Sequence, residues 1–210
     1  MSYHCVAVST AGFVQQLAVG YLARGYLFYV IGVIPRHKDP DGVDTKLIEK
    51  YGIEMSKWTR ARKKKRGEAS VQYLRFGDTF VLVATEGQHG IFEEERVSIR
   101  DFRQTPLRFG DYSIGYGRGQ GGWHASVRIA REVYQQLERH FMSTCLRNSA
   151  TELASEFHEL PFEPYAPIKR QLLRLFWKVN ARRSVARLEP VHLSIRLNRK
   201  PRRVFSDAPD

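Results

Sequence analysis

Hydrophobic and polar positions change period several times along the chain, and each change marks a predicted element. Tyr3 to Val8 is apolar and β-branched, Phe13 to Ala23 has helical spacing, and Tyr26 to Ile34 is a nearly continuous apolar run. With Ser9 or Thr10 as N-cap and Gly25 as the stop, these segments predict a strand–helix–strand crossover. Its two strands would lie parallel, with Phe13, Leu17, Tyr21 and Leu22 of the helix turned toward the sheet. Pro35 to Asp44 reads as a loop, Asp44 as the cap of a short helix through Tyr51, and a further helix is expected from Ser56.

From Ala69 the period becomes two. Val71, Tyr73 and Arg75 share one face, Phe76-Gly77-Asp78 turns, and TFVLVAT returns as a buried strand. DYSIGYGRG and GGWHASVRIA predict a second hairpin, whose glycines permit the positive φ angles of a tight reversal. A short strand near Val97 to Phe102 falls between the two hairpins.

Beyond Ala130 the spacing is helical again. Val133, Leu137 and Phe141 recur every four residues, Thr151 to Leu160 forms a second helix, and PFEPYAP is a stiff connector. Ala166 to Arg183 is the last long helix, followed by a strand at Val191 to Leu197 and a basic tail, NRKPRRVFSDAPD, expected to be poorly ordered. The fold class is therefore α+β: a mixed sheet with a β-α-β start and antiparallel hairpins, packed with helices, plus a C-terminal basic amphipathic helix. The expected organisation is a core over 1–160, a connector and helical extension over 161–198, and a tail over 199–210.

Composition sharpens this picture. With 42% hydrophobic residues and 12% aromatics in 210 residues, the chain can bury a sizeable core. The 34 Lys and Arg against 22 Asp and Glu give a formal charge of +12, which favours a polyanionic partner, nucleic acid above all. The excess is uneven, since residues 1–50 hold five cations and four anions whereas 151–210 hold twelve and seven. Cys5 and Cys145 are the only cysteines, which leaves no zinc ribbon or disulfide framework and points to a reducing interior. No window approaches the ~18–20 apolar residues of a membrane span, so a cytoplasmic protein without membrane attachment is expected.

Two stretches concentrate the positive charge. In WTRARKKKRG, the residues Arg60, Arg62, Lys63, Lys64, Lys65 and Arg66 put six cations into seven positions before Gly67. A helix charged on nearly all sides cannot be core, and a helix C-terminus needs one or two cations, not six. In the last helix, Ile168, Leu172, Leu175, Phe176 and Val179 form an apolar stripe. On another face Arg170, Arg174, Lys178 and Arg182 stack every fourth residue, with Arg183 beside them. Like charges at this spacing cost about 0.2–0.5 kcal/mol per pair, a cost that a phosphate backbone would remove. Acidic side chains of neighbouring elements would also remove it.

Aromatic residues lie near these cations. Trp58, Tyr73 and Trp123 are candidates for stacking on unpaired bases. YGRGQGG lacks the Lys-Ser/Thr ending of a P-loop and reads as a hairpin turn.

Enzyme signatures are absent: no His-x-His, no His-Glu-x-x-His, no Gly-x-Ser-x-Gly elbow, and no metal-ligand or cofactor motif. A metal-independent cleavage of RNA needs only a histidine and an assisting acid, for which His4 and His124 on one sheet, with Tyr116 nearby, are the candidates.

The leading expectation is a sequence-tolerant nucleic-acid-binding protein, with RNA favoured over DNA, that holds phosphates through 60–66 and 170–183. It would act alone or within a ribonucleoprotein or mobile-element assembly. The alternatives are an RNA-processing endonuclease and a protein-interaction subunit that places the last helix on an acidic partner. No cofactor or metal is implied.

Overall fold

A computed structural model describes residues 3–119, 121–193, 195, 198 and 201–206. Helices and two antiparallel sheets give an α+β fold. Contacts divide the chain into two compact units. Unit 1 comprises Met1–Leu107, Ile114–Ala125 and Arg202–Asp210, and unit 2 comprises Arg108–Ser113 and Ser126–Pro201. All the helices after residue 130 fall in unit 2.

In unit 1, helix α1 (Thr10–Gln15) starts at Ser9, whose hydroxyl accepts the Gly12 N–H at 3.0 Å. The helix widens into a π turn over Gln16–Tyr21 and tightens over Leu22–Arg24. Gly25 then stops it at φ +90°, a left-handed conformation that an L side chain resists. Strand β1 (Tyr26–Val33) follows, then α2 (Pro40–Lys50), α3 (Lys57–Lys65) and the hairpin β2 (Val71–Phe76) and β3 (Thr79–Thr85). After the short helix α4 (Ile91–Glu94), β4 (Arg100–Asp101) completes a sheet of order β2-β3-β1-β4, in which every ladder is antiparallel.

The expected pairing of the first segment is corrected here. Cys5 accepts the Arg75 N–H at 2.8 Å and Ala7 donates to the Arg75 carbonyl at 2.7 Å, so residues 5–7 run parallel to β2, not to β1. The β1–β3 ladder, from Tyr26↔Thr85 to Val33↔Thr79, already occupies that edge of β1, and β4 takes the other. The outer edge of β2 is what remains. Val71 to Arg75 and Val81 to Ala84 are buried without alternation, as in strands covered on both faces. Val30, Ile53, Val71, Tyr73 and Leu82 belong to the core beneath them.

Asp44 does not cap α2. Asp39 does, accepting the Gly42 N–H at 2.9 Å, with Pro40 in the first turn where its missing N–H is harmless. Asp44 is buried inside the helix, where it accepts from Arg75 Nε at 2.9 and 2.8 Å and from the Tyr73 hydroxyl at 2.5 Å. The Cys5 thiol lies 3.7 Å from the same carboxylate, and burial followed by the Asp44 charge pushes its pKa up to about 12. Two arms of one guanidinium reach Asp44 and Asp41, which ties α2 to β2.

Within the described part of the basic tail, Arg202 and Val204 make backbone hydrogen bonds to the first segments of the chain. Val8 donates to the Val204 carbonyl at 2.9 Å, and Gln15 exchanges two hydrogen bonds with the Arg202 backbone, at 2.8 and 3.0 Å.

Strands β5 (Leu107–Phe109), β6 (Tyr112–Gly119) and β7 (Gly122–Ile129) form the second sheet, in that order. In unit 2, β7 leads into α5 (Arg131–Thr144), α6 (Ala150–Glu159) and α7 (Ala166–Val185). Phe141 and Phe157 stack with centroids 4.1 Å apart, and Phe176 meets Phe157 edge-on at 5.7 Å. Ile168, Leu172, Leu175, Phe176 and Val179 are all buried, as the spacing of the last helix requires. Residues 191–193 carry no strand, and most of the remainder of the strand expected to Leu197 lies outside the described residues. Among the described residues no helix is long and apolar enough to cross a membrane.

Candidate nucleic-acid interface

Unit 2 contains a cleft of about 420 Å³ whose wall includes five arginines, Arg108, Arg128, Arg131, Arg170 and Arg174. Each comes from a regular element. On β7, Val127 and Ile129 turn inward, so Arg128 between them must face out. On α7, the buried stripe fixes the opposite rotation for Arg170 and Arg174, one turn apart and both exposed. Arg131 opens α5, and Arg108 stands on β5.

Gln171 holds these walls in place. Its amide oxygen accepts the Ile129 N–H at 2.9 Å, its amide nitrogen donates to the Ile129 carbonyl at 3.2 Å, and the Tyr134 hydroxyl donates to the Gln171 carbonyl at 3.3 Å. A side-chain amide thus completes the end of β7 as a neighbouring strand would. This clamp keeps Arg128 and Arg131 opposite Arg170 and Arg174.

Among the described residues, one carboxylate forms an ion pair with the group. Glu132 pairs with Arg108, and the hydrogen bond from that guanidinium is the main reason its carboxyl is held below the usual range. Five guanidiniums against one carboxylate leave a local surplus of four charges in a concave site, where field lines concentrate.

The expected row on α7 is interrupted at Lys178, and Arg183 beside it is turned inward. Lys178 pairs with Glu138 of α5, so a neighbouring helix supplies the acid that α7 lacks. Arg183 is turned into the interior. It is 3% exposed, and its guanidinium donates to the carbonyls of Cys145 at 2.7 Å, Asn148 at 2.9 Å and Glu189 at 2.7 Å. It closes the C-terminal end of α5, where carbonyls have no partner within the helix. Arg182 remains exposed but is not part of the cleft wall.

In unit 1, the basic run forms α3. Ser56 caps it by accepting the Thr59 N–H at 3.1 Å, Arg60 donates back to the Met55 carbonyl at 2.7 Å, and Arg66 pairs with Glu68 at 2.7 Å. Lys63 is half-buried near His89, whose imidazole is held below its ordinary pKa by burial and then by that ammonium. Arg62, Lys64 and Lys65 are exposed, and no carboxylate among the described residues forms an ion pair with them.

The aromatic candidates divide. Trp58, on the first turn of α3, is 78% exposed, and Trp123 on β7 is 53% exposed and stacked on Tyr116 at 5.8 Å. Tyr73 is fully buried with its hydroxyl on Asp44, so it cannot meet a base. The two histidines do not share a sheet. His4 precedes the segment beside β2 and stacks on Phe205, whereas His124 stands on β7 with Nδ1 3.2 Å from the Gly122 carbonyl. Among the described residues no three His, Cys, Asp or Glu side chains gather as around a metal ion.

Arg108, Arg128 and Arg131 escaped sequence reasoning because each is a single cation in a different element. The one available signal was the outward register of Arg128 on a strand leading directly into Arg131. Comparisons with protein-family models, curated proteins and solved structures give no match.

Proposed function

We propose that this chain is a sequence-tolerant nucleic-acid-binding protein, with RNA favoured over DNA, that holds phosphates in the arginine cleft and along the exposed cations of α3. The observation that carries this reading is the convergence of five arginines on one cleft with a single carboxylate ion-paired to them among the described residues. Such a surplus is unfavourable unless anions enter, and guanidinium forks match phosphate oxygens two at a time. Backbone contact carries no sequence information, so unrelated sequences bind alike. The exposed indoles of Trp58 and Trp123 favour RNA with unpaired bases over a closed duplex.

The test is the salt dependence of affinity for several unrelated RNA sequences. Each neutralised phosphate contributes roughly 0.7–0.9 to the logarithmic slope, so a steep slope common to all sequences is expected. A shallow slope, or no affinity for either RNA or DNA, rejects the reading.

A further inference from the structure

We propose that the arginine cleft of unit 2 receives a phosphomonoester, the terminal phosphate of a nucleic-acid chain. This rests on the nucleic-acid reading above and adds which part of the polymer enters.

Charge is clustered here and not strung out. A strand running along its backbone needs cations spaced along a path, and the row on α7 would supply one if it were intact. It is interrupted: Glu138 pairs with Lys178, which separates Arg182 from Arg170 and Arg174. What remains is a compact group in which Arg128, Arg131, Arg170 and Arg174 have no carboxylate partner among the described residues. A phosphodiester carries one charge, whereas a terminal phosphate carries about −1.5 to −2 at neutral pH and three strong acceptor oxygens. The second kind of anion matches a cluster of forked donors.

Two helix ends add to the positive field. α5 (14 residues) and α7 (20 residues) begin at the cleft, with Arg131 and Pro167 in its wall, and neither N-cap residue, Ala130 or Tyr165, supplies a side-chain acceptor. Each such end holds roughly half a positive charge, which reinforces the guanidiniums. Volume agrees as well: about 420 Å³ exceeds a single phosphate and falls within the roughly 300–1,000 Å³ of small-ligand sites, which leaves room for the terminal nucleotide. Tyr134 and Ile129 offer that nucleotide an apolar wall.

The experiment is a fluorescence-anisotropy competition at fixed salt. Unlabelled short RNAs of one sequence carry a 5′-phosphate, a 3′-phosphate or hydroxyls at both ends, and a nucleoside monophosphate serves as a fourth competitor. One phosphorylated end is expected to compete at least about tenfold better than the hydroxyl form, equivalent to about 1.4 kcal/mol. Arg170→Gln/Arg174→Gln should abolish the preference, while Lys64→Gln/Lys65→Gln on α3 should weaken all the RNAs together and keep it.

Lowering the pH from about 7.5 to about 5.5 should also shrink the preference, because the second phosphate pKa is about 6 and the strand end falls from nearly two charges to little more than one. The groups facing the cleft are the five arginines, Glu132, whose carboxyl is held low by Arg108, and Tyr134, whose hydroxyl is held high first by burial and then by Glu138, with Lys178 and Arg174 opposing, so Glu132 and Tyr134 keep their charge states across that window. Equal competition by all three RNAs overturns this proposal and leaves the nucleic-acid reading standing. Failure of every RNA to bind overturns both. A monophosphate that competes as well as the phosphorylated RNA assigns the cleft to a free nucleotide and overturns the strand-end assignment.

Discussion

At the scale of single residues, sequence context does not say which cations are free. Arg182 and Arg183 are adjacent and identical in type, yet one is exposed and the other is sealed among carbonyls. Because Arg183 satisfies three carbonyl oxygens at once, Arg183→Ala should destabilise the protein by about 2–3 kcal/mol through unpaired buried acceptors. Lysine should rescue only part of this loss, since a single ammonium cannot reproduce the planar fork. Chemical denaturation of the two variants checks both statements, and wild-type stability in Arg183→Ala would refute the structural role. Tyr73 teaches the same lesson. Alternation places it on the face shared with Val71 and Arg75, but only the covering helix α2, with Asp44 pointing down, makes that face interior.

At the scale of elements, the chain was legible wherever period and punctuation agreed. The apolar stripe of α7, the Ser56 start of α3 and the β2–β3 hairpin follow directly from spacing, caps and the Gly77 turn. Asp44 reads as a cap only because three acids, Asp39, Asp41 and Asp44, lie at the start of the same helical run, and the Asp39-Pro40 pair is the stronger start signal. Its true role joins α2 to β2 through Arg75. Replacing Arg75 with leucine would strand a buried carboxylate, with an expected loss of about 3–5 kcal/mol. The double variant Arg75→Met/Asp44→Leu should lose far less, since it removes both charges. A double variant as unstable as the single one would show that the guanidinium acts through something other than Asp44.

At the scale of the whole molecule, α+β architecture and the positive balance were readable from the sequence, whereas the cleft was not. Its arginines come from β5, β7, α5 and α7, and only folding brings positions 108 and 174 to one wall. A run such as Arg60 to Arg66 draws attention because it is contiguous, but a field is built by convergence in space. The proposed function accordingly rests on the cleft. Its most direct test is the affinity of Arg128→Gln/Arg170→Gln/Arg174→Gln for a short RNA, measured beside the wild type across a salt series, with circular dichroism to show that the fold is kept. All three side chains are exposed, so the variant should fold normally. The predicted result is affinity at least about tenfold lower at low salt, with a logarithmic salt slope reduced by about 2, the equivalent of three lost contacts on a single strand. A folded triple variant that binds with wild-type affinity and slope would contradict the account.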